Sequence, residues 1–121
     1  MPLAVFVAFE SEKSAEKAAE RIVRKRLAAC ASVLPKMKSA YIWKKKLCRA
    51  TECLMIAKTT EKRYPALERE ARRLHSYEVP EIIAIRIARG SRAYLAWLEA
   101  SCSKNLKTSS RLKKQALFKG R

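Results

Sequence analysis

Apolar runs and amphipathic stretches alternate along the first hundred residues. The short apolar run LAVFVAF at 3–9 is typical of a buried strand. Ser11 can cap a helix that follows, because its hydroxyl can accept a backbone N–H of the first turn. Within that helix apolar residues recur at helical spacing, at Ala15, Ala18, Ala19, Ile22, Val23 and Leu27. Basic residues cover its other side, at Lys17, Arg21, Arg24 and Lys25.

Three further extended segments occupy the middle of the chain. Residues 29–34 (ACASVL) predict a second strand that Pro35 ends, residues 40–43 begin a third, and residues 51–58 (TECLMIAK) form a fourth. The basic tip Lys44-Lys45-Lys46 precedes the fourth segment, without an Asn-Gly or Asp-Gly turn pair. We therefore predict a long hairpin whose corner carries no turn signature.

The remaining elements complete a familiar order. Thr60 precedes a second helix, with Pro65 near its first turn and an apolar stripe at Tyr64, Leu67, Ala71 and Leu74. Residues 82–88 (IIAIRIA) predict another strand, and a short helix from about Arg92 to Cys102 buries Tyr94, Leu95 and Leu98. This order predicts an α+β, ferredoxin-like split-βαβ fold: an antiparallel sheet with helices on one face, a long hairpin and a short C-terminal helix.

The length of 121 residues suits one domain, which we place at residues 1–102. Residues 103–121 differ, since they contain no acid and seven basic residues: Lys104, Lys107, Arg111, Lys113, Lys114, Lys119 and Arg121. Their few apolar residues are too sparse for a core face. We expect this segment to be a flexible basic extension.

Composition removes several kinds of chemistry. There are 28 Lys and Arg against 11 acidic residues, all of them Glu, for a net charge of +17. Two glycines and one histidine leave no glycine-rich phosphate loop, aspartate-based triad or EF-hand. No nucleophile with a base and an orienting group is recognisable, so we expect a protein that is not an enzyme.

Localisation signals are also limited. No apolar run approaches the roughly 20 residues that a membrane-spanning helix needs, so no membrane partner is expected. The apolar start lacks the basic region and cleavage site of a signal peptide. Four widely spaced cysteines form no C-x-x-C pair, which favours reduced thiols and a cytoplasmic protein: Cys30, Cys48, Cys53 and Cys102.

Three stretches carry a family resemblance. The first is LAACA at 27–31 followed by Pro35, Ser39, Tyr41 and Trp43; the second is Glu52 followed by Lys58-Thr59. The third is HSYEVPEI at 75–82, followed by Tyr94-Leu95 and Trp97-Leu98. Together, from about residue 3 to 100, they resemble the CutA family, which is named for divalent-cation tolerance.

The resemblance implies a ferredoxin-like homotrimer in which the long hairpin of one subunit pairs with strand edges of its neighbours. An exposed strand edge, here residues 51–58, would then be covered in a closed assembly. It further implies a cytoplasmic role in divalent metal (copper) tolerance, by binding or signalling at intersubunit clefts rather than by catalysis. No cofactor is obligatory, and the ligand is a divalent cation such as copper or zinc.

The same resemblance gathers polar and aromatic residues at the intersubunit cleft: Tyr41, Trp43, Glu52, Lys58, His75, Tyr77, Pro80, Glu81 and Trp97. His75 and Glu52 are the predicted metal ligands. Two departures from the family pattern stand out. Ser76 follows His75 where a proline is usual, and Lys45 replaces a common glycine, so the hairpin turn should differ or loosen.

Each candidate also has a structural interpretation. His75 would close a helix C-terminus, where a cation meets the helix dipole favourably. Among Glu52, Glu81 and Lys58, a buried Glu–Lys ion pair would fix strand register. Trp43 and Trp97 would be core or interface anchors rather than a platform for stacking bases.

The charge supports an alternative function. A basic surface with a basic tail is the electrostatic signature of a nucleic-acid-associated protein. The predicted strands lack the aromatic motif of RNA-binding ferredoxin-like domains. Binding to nucleic acid would therefore be non-specific and would fall steeply with salt.

Overall fold

The computed structural model describes residues 1–103, and the predicted basic extension lies outside them apart from Ser103. Strands and helices follow in the order β1 (Pro2–Phe9), α1 (Glu12–Arg24), β2 (Cys30–Trp43), β3 (Lys46–Thr60), α2 (Tyr64–Leu74), β4 (Ile82–Arg86) and α3 (Arg92–Ser101). The strands form an antiparallel sheet in the order β2-β3-β1-β4. The predicted α+β ferredoxin-like class is confirmed.

The helix ends follow local chemistry. The Ser11 hydroxyl accepts the Ser14 N–H at 3.1 Å and begins α1, as predicted. Pro65 occupies the first turn of α2, where its missing N–H costs no hydrogen bond. His75 is the C-cap residue of α2, as the structural interpretation placed it, while the favourable contact of a charged ring with the helix dipole stays a prediction.

Pro35 does not end a strand, and this prediction is wrong. The two segments predicted at 29–34 and 40–43 form one strand, β2, with a bulge between Leu34 and Met37. Lys36 lies in the left-handed region at φ 61°. A bulge on an edge strand tolerates proline because the ladder is already interrupted there.

The hairpin corner is tight, so the expectation of a loosened turn is wrong, while a difference from the usual turn of the family stays a prediction. Trp43 pairs with Lys46, which leaves a two-residue turn. Lys44 and Lys45 have φ values of 52° and 67°, the left-handed conformations that such turns require at both central residues. Lysine therefore adopts the backbone conformation for which glycine or asparagine is usual.

The predicted exposed edge at 51–58 is mostly internal. Residues 53–60 of β3 are internal, since they pair with β1 from Pro2↔Thr60 to Phe9↔Cys53. Only the segment 46–52 of β3 lacks a second neighbour, because it extends past the end of β1. The sheet edges within residues 1–103 are β2 and β4.

The two faces of the sheet differ in cover. Side chains of one face pack under α1 and α2, and include Val5, Val7, Met55 and Ala57. Their strand neighbours point to the opposite face because side chains alternate along a strand. On that open face Leu34, Ile83 and Ile85 are 47%, 49% and 53% exposed. A broad apolar surface is thus uncovered in a single chain.

A carboxylate that the sequence pattern did not indicate ties α1 to α2. Glu70 is buried, and its Oε2 lies 2.8 Å from Arg21 Nε, 3.3 Å from Lys25 Nζ and 2.7 Å from Arg73 Nη2. Hydrogen bonds from Arg73 and from Arg21 and Lys25 hold the pKa of Glu70 at about 2. The basic side of α1 is therefore partly engaged with α2.

Replacement of Glu70 by glutamine is expected to lower the free energy of unfolding by about 1 kcal/mol at neutral pH. The loss is modest because water reaches the half-exposed cations and screens their attraction to Glu70. Because the folded-state pKa lies below the usual 4.5, the stabilisation is complete above that pH and is lost as pH falls towards 2. Urea titrations at pH 7 and pH 2.5 measure it. Glu20→Gln, at an exposed pair with Arg24, should change little; an equal loss in both variants would contradict a special role for Glu70.

Candidate functional site

A cleft of about 590 Å³ lies where the hairpin leaves the rest of the sheet. Five of the predicted site residues line it: Tyr41, Trp43, Glu52, Tyr77 and Glu81. Five others were not predicted: Ala8, Ser39, Ala40, Glu78 and Val79. The strand register puts Glu52 opposite Met37, so Tyr41 and Trp43 project from the same face of the hairpin as Glu52.

Glu52 is the most deeply placed charged group of the cleft. Glu52 is only 7% exposed, and its Oε2 accepts a hydrogen bond from the Tyr77 hydroxyl at 2.9 Å. Burial, together with the Glu52 carboxylate, raises the pKa of Tyr77 far above its usual value. The Tyr77 hydroxyl therefore keeps its proton and serves as the donor to Glu52.

His75 is held by ring contacts and by both ring nitrogens. Its ring stacks on Phe9 at 4.6 Å and lies 4.7 Å from the Tyr77 ring. Nε2 donates to the carbonyl of Ala8, and Nδ1 accepts the backbone N–H of Tyr77 at 3.1 Å. A metal ligand needs a free lone pair on one nitrogen, so metal binding by His75 would require one of these hydrogen bonds to break.

Of the remaining predicted site residues, Trp97 and Lys58 lie away from the cleft in one chain. Trp97 lies on α3 and packs in a small core cluster with Ala29, Leu98 and Cys102. Lys58 lies on β3 six residues from Glu52, about 20 Å along the strand. Within residues 1–103 Lys58 forms no ion pair with Glu52 or Glu81, so the predicted Glu–Lys pair is wrong for a single chain. Pro80 lies in the 77–81 segment, between two lining residues of the cleft.

A complete metal site is not found within one chain. In residues 1–103, no group of three or more His, Cys, Asp or Glu side chains is placed to hold a metal ion. None of the four cysteines forms a disulfide, which agrees with the expected thiols, and none of them lines the cleft. The residues of a single copy do not fit a metal ion, and a full donor set would need a second copy.

A separate basic groove runs between α1 and the end of α2. Its walls include Lys17, Arg21, Arg24 and Lys25. Two of these cations already pair with Glu70, which reduces the charge left to attract a polyanion. Non-specific binding to nucleic acid at this surface stays a prediction.

Little in the sequence could have located the cleft. Glu52 and Tyr77 are 25 residues apart and meet only through the fold. Ser76, a departure from the family pattern, donates its hydroxyl to Glu10 at 3.0 Å and so fixes the start of the 77–81 segment.

Within the described part of the chain, none of the helices is both long and apolar enough to cross a membrane.

Comparison with known proteins finds relatives of this chain that share one family name. Residues 3–101 match the family model described as CutA1 divalent ion tolerance protein. The divalent-cation tolerance protein CutA of Thermus thermophilus is 40% identical over 94 residues, which cover 78% of this chain and 91% of that protein. Mouse protein CutA is 42% identical over 95 residues, 78% of this chain, but this chain spans only 54% of the mouse protein.

Solved structures agree with the sequence match. The structure described as the periplasmic divalent cation tolerance protein CutA of Archaeoglobus fulgidus superposes with a TM-score of 0.82 at 35% identity. It covers 85% of this chain and all of that one. The match extends over the sheet, the hairpin and the helices that shape the cleft, and we conclude that this chain belongs to the CutA1 divalent ion tolerance family.

Proposed function

We propose that this protein contributes to divalent metal tolerance, with copper as the principal ion, as a cytoplasmic homotrimer that binds or signals at its intersubunit clefts and does not catalyse a reaction. The membership of the family supports the link to divalent ions. Four cysteines outside any disulfide support a reducing compartment, although the Archaeoglobus relative is described as periplasmic.

The open face of the sheet supports self-association. Leu34, Ile83 and Ile85 expose about half of their surfaces there, and the hairpin segment 46–52 pairs with β2 alone. Exposed apolar patches beside free strand edges are characteristic of obligate interfaces. In a closed ring of copies the hairpin of one chain would cover the open face of the next, and a cleft would lie at each junction.

The observation that carries the proposal is the buried carboxylate of Glu52 at the cleft, with no positively charged residue among the side chains that line it. Burying a carboxylate without a cation is costly, so a cationic ligand at this position is favoured. Glu52 would supply an oxygen ligand from one copy, and the remaining donors would come from a neighbour.

Calorimetric titration with Cu²⁺, Zn²⁺ and Ni²⁺ tests this role. We expect Glu52→Gln to weaken binding about tenfold or more, because an amide cannot replace a charged oxygen ligand. Glu61→Gln is the matched control, since Glu61 pairs with Arg86 away from the cleft. Equal heats for wild type and Glu52→Gln would exclude Glu52 as a ligand, and equal heats for His75→Ala would exclude His75.

A further inference from the structure

The side chains around the cleft are unusual for so basic a chain. Three of its eleven acidic residues line the cleft, Glu52, Glu78 and Glu81, and none of the Lys and Arg residues within the described residues 1–103 does. Within residues 1–103 none of these three glutamates takes part in an ion pair. The cleft is thus a local acidic site on a strongly cationic protein.

Glu52 is the strongest indication that something is bound there. It is more than nine-tenths buried and lines the cleft, and its Oε2 accepts the Tyr77 hydroxyl. Within the described residues its other carboxylate oxygen, Oε1, has no hydrogen-bond donor. A largely buried carboxylate that lines a cavity favours a ligand that brings both a positive charge and N–H donors.

The other walls are aromatic. Tyr41, Trp43 and Tyr77 line the same cavity, and Tyr41 and Trp43 are 45% and 42% exposed. Aromatic faces attract cations, and a planar guanidinium stacks on them while its N–H groups reach a carboxylate. A bare metal ion makes no use of aromatic walls, and no three potential metal ligands converge in the described part of one chain.

The size also fits an organic molecule. A cavity of about 590 Å³ lies within the range of roughly 300–1,000 Å³ that small-molecule sites occupy. From these observations we propose that the cleft binds a small organic cation bearing a guanidinium group, which pairs with Glu52 and stacks between Trp43 and the tyrosines. The inference rests on the binding role proposed above for this cleft and names a second class of ligand for it.

The test uses two probes of almost the same shape, n-butylguanidinium and its uncharged analogue n-butylurea, titrated into the full chain by calorimetry. We expect saturable binding of n-butylguanidinium at one site per chain and at least about tenfold weaker binding of n-butylurea. The net charge of +17 opposes unspecific attraction of a cation, so saturable binding would report on the cleft.

Variants locate the site. Glu52→Gln should abolish binding of n-butylguanidinium, and Trp43→Leu should weaken it about tenfold, whereas Glu61→Gln, with the same change in charge away from the cleft, should leave it unchanged. Trp43 is half-exposed, so its replacement remains informative if Glu52→Gln fails to fold.

Two results would overturn the proposal. The first is that a protein with the mass of a trimer and measurable copper binding fails to bind n-butylguanidinium, or binds n-butylurea equally well. That result would leave the metal role intact. The second is a loss of oligomer mass in Trp43→Leu or Glu52→Gln, since the cleft would then hold an arginine or lysine of a second copy. An oligomer that binds no divalent metal but binds n-butylguanidinium would contradict the metal role alone.

Discussion

Replacement of Ile83 by glutamate is expected to convert the assembled protein into single chains. Ile83 lies on β4 opposite Phe6, on the open apolar face, and is 49% exposed. In a homotrimer that face would be covered, and each copy would bury an unpaired charge in an apolar interface, which is strongly unfavourable. In a single chain the same side chain would reach water, so the fold itself should persist.

Light scattering during size-exclusion chromatography measures this effect. Wild type should have three times the mass of one 13.8 kDa chain, and the variant the mass of one. The control is Ala88→Glu. Ala88 is an exposed residue just beyond β4, and its replacement should not change the mass. A wild-type protein that elutes as a single chain at micromolar concentration would reject the trimer, and with it the intersubunit placement of the cleft.

Replacement of Phe9 by alanine is expected to lower the free energy of unfolding by about 3–5 kcal/mol. Phe9 is completely buried at the end of β1, and its ring supports the His75 ring at 4.6 Å. The variant leaves a cavity beneath His75 and removes the support of the segment that carries Tyr77. Loss of the cleft should accompany loss of stability.

Urea denaturation measures the change, and quenching of tryptophan fluorescence by iodide reports on Trp43 in the cleft. Phe9→Leu keeps most of the apolar contact and should lose less than half as much stability as Phe9→Ala. If Phe9→Ala were as stable as wild type, the packing between β1 and the end of α2 would contribute little to the fold.

Local patterns were sufficient for most elements of the fold. Ser11 and Pro65 marked helix starts, and the apolar run at 3–9 became β1, because capping and periodicity are encoded within a few residues. Pro35 misled because its effect depends on whether the strand is an edge or internal, which the sequence near it does not contain.

The site was less accessible to such reasoning. The family resemblance supplied Tyr41, Trp43, Glu52, Tyr77 and Glu81, which the structure brings around one cavity. It did not indicate that Tyr77, rather than Lys58, would be the partner of Glu52, since the contact depends on how the 77–81 segment passes the hairpin. Long-range contacts of this kind follow from tertiary packing and leave no local periodicity.

The turn at the end of the hairpin has a consequence for behaviour in concentrated solution. Lys44 and Lys45 hold a conformation that disfavours side chains, at a cost of about 1 kcal/mol or more each. Glycine at both positions would relieve that cost but would leave only Lys46 of the three lysines at the end of a long two-stranded ribbon. Repulsion between lysine-tipped ribbons opposes end-to-end stacking into fibrils, so backbone strain at this corner is balanced by protection against aggregation.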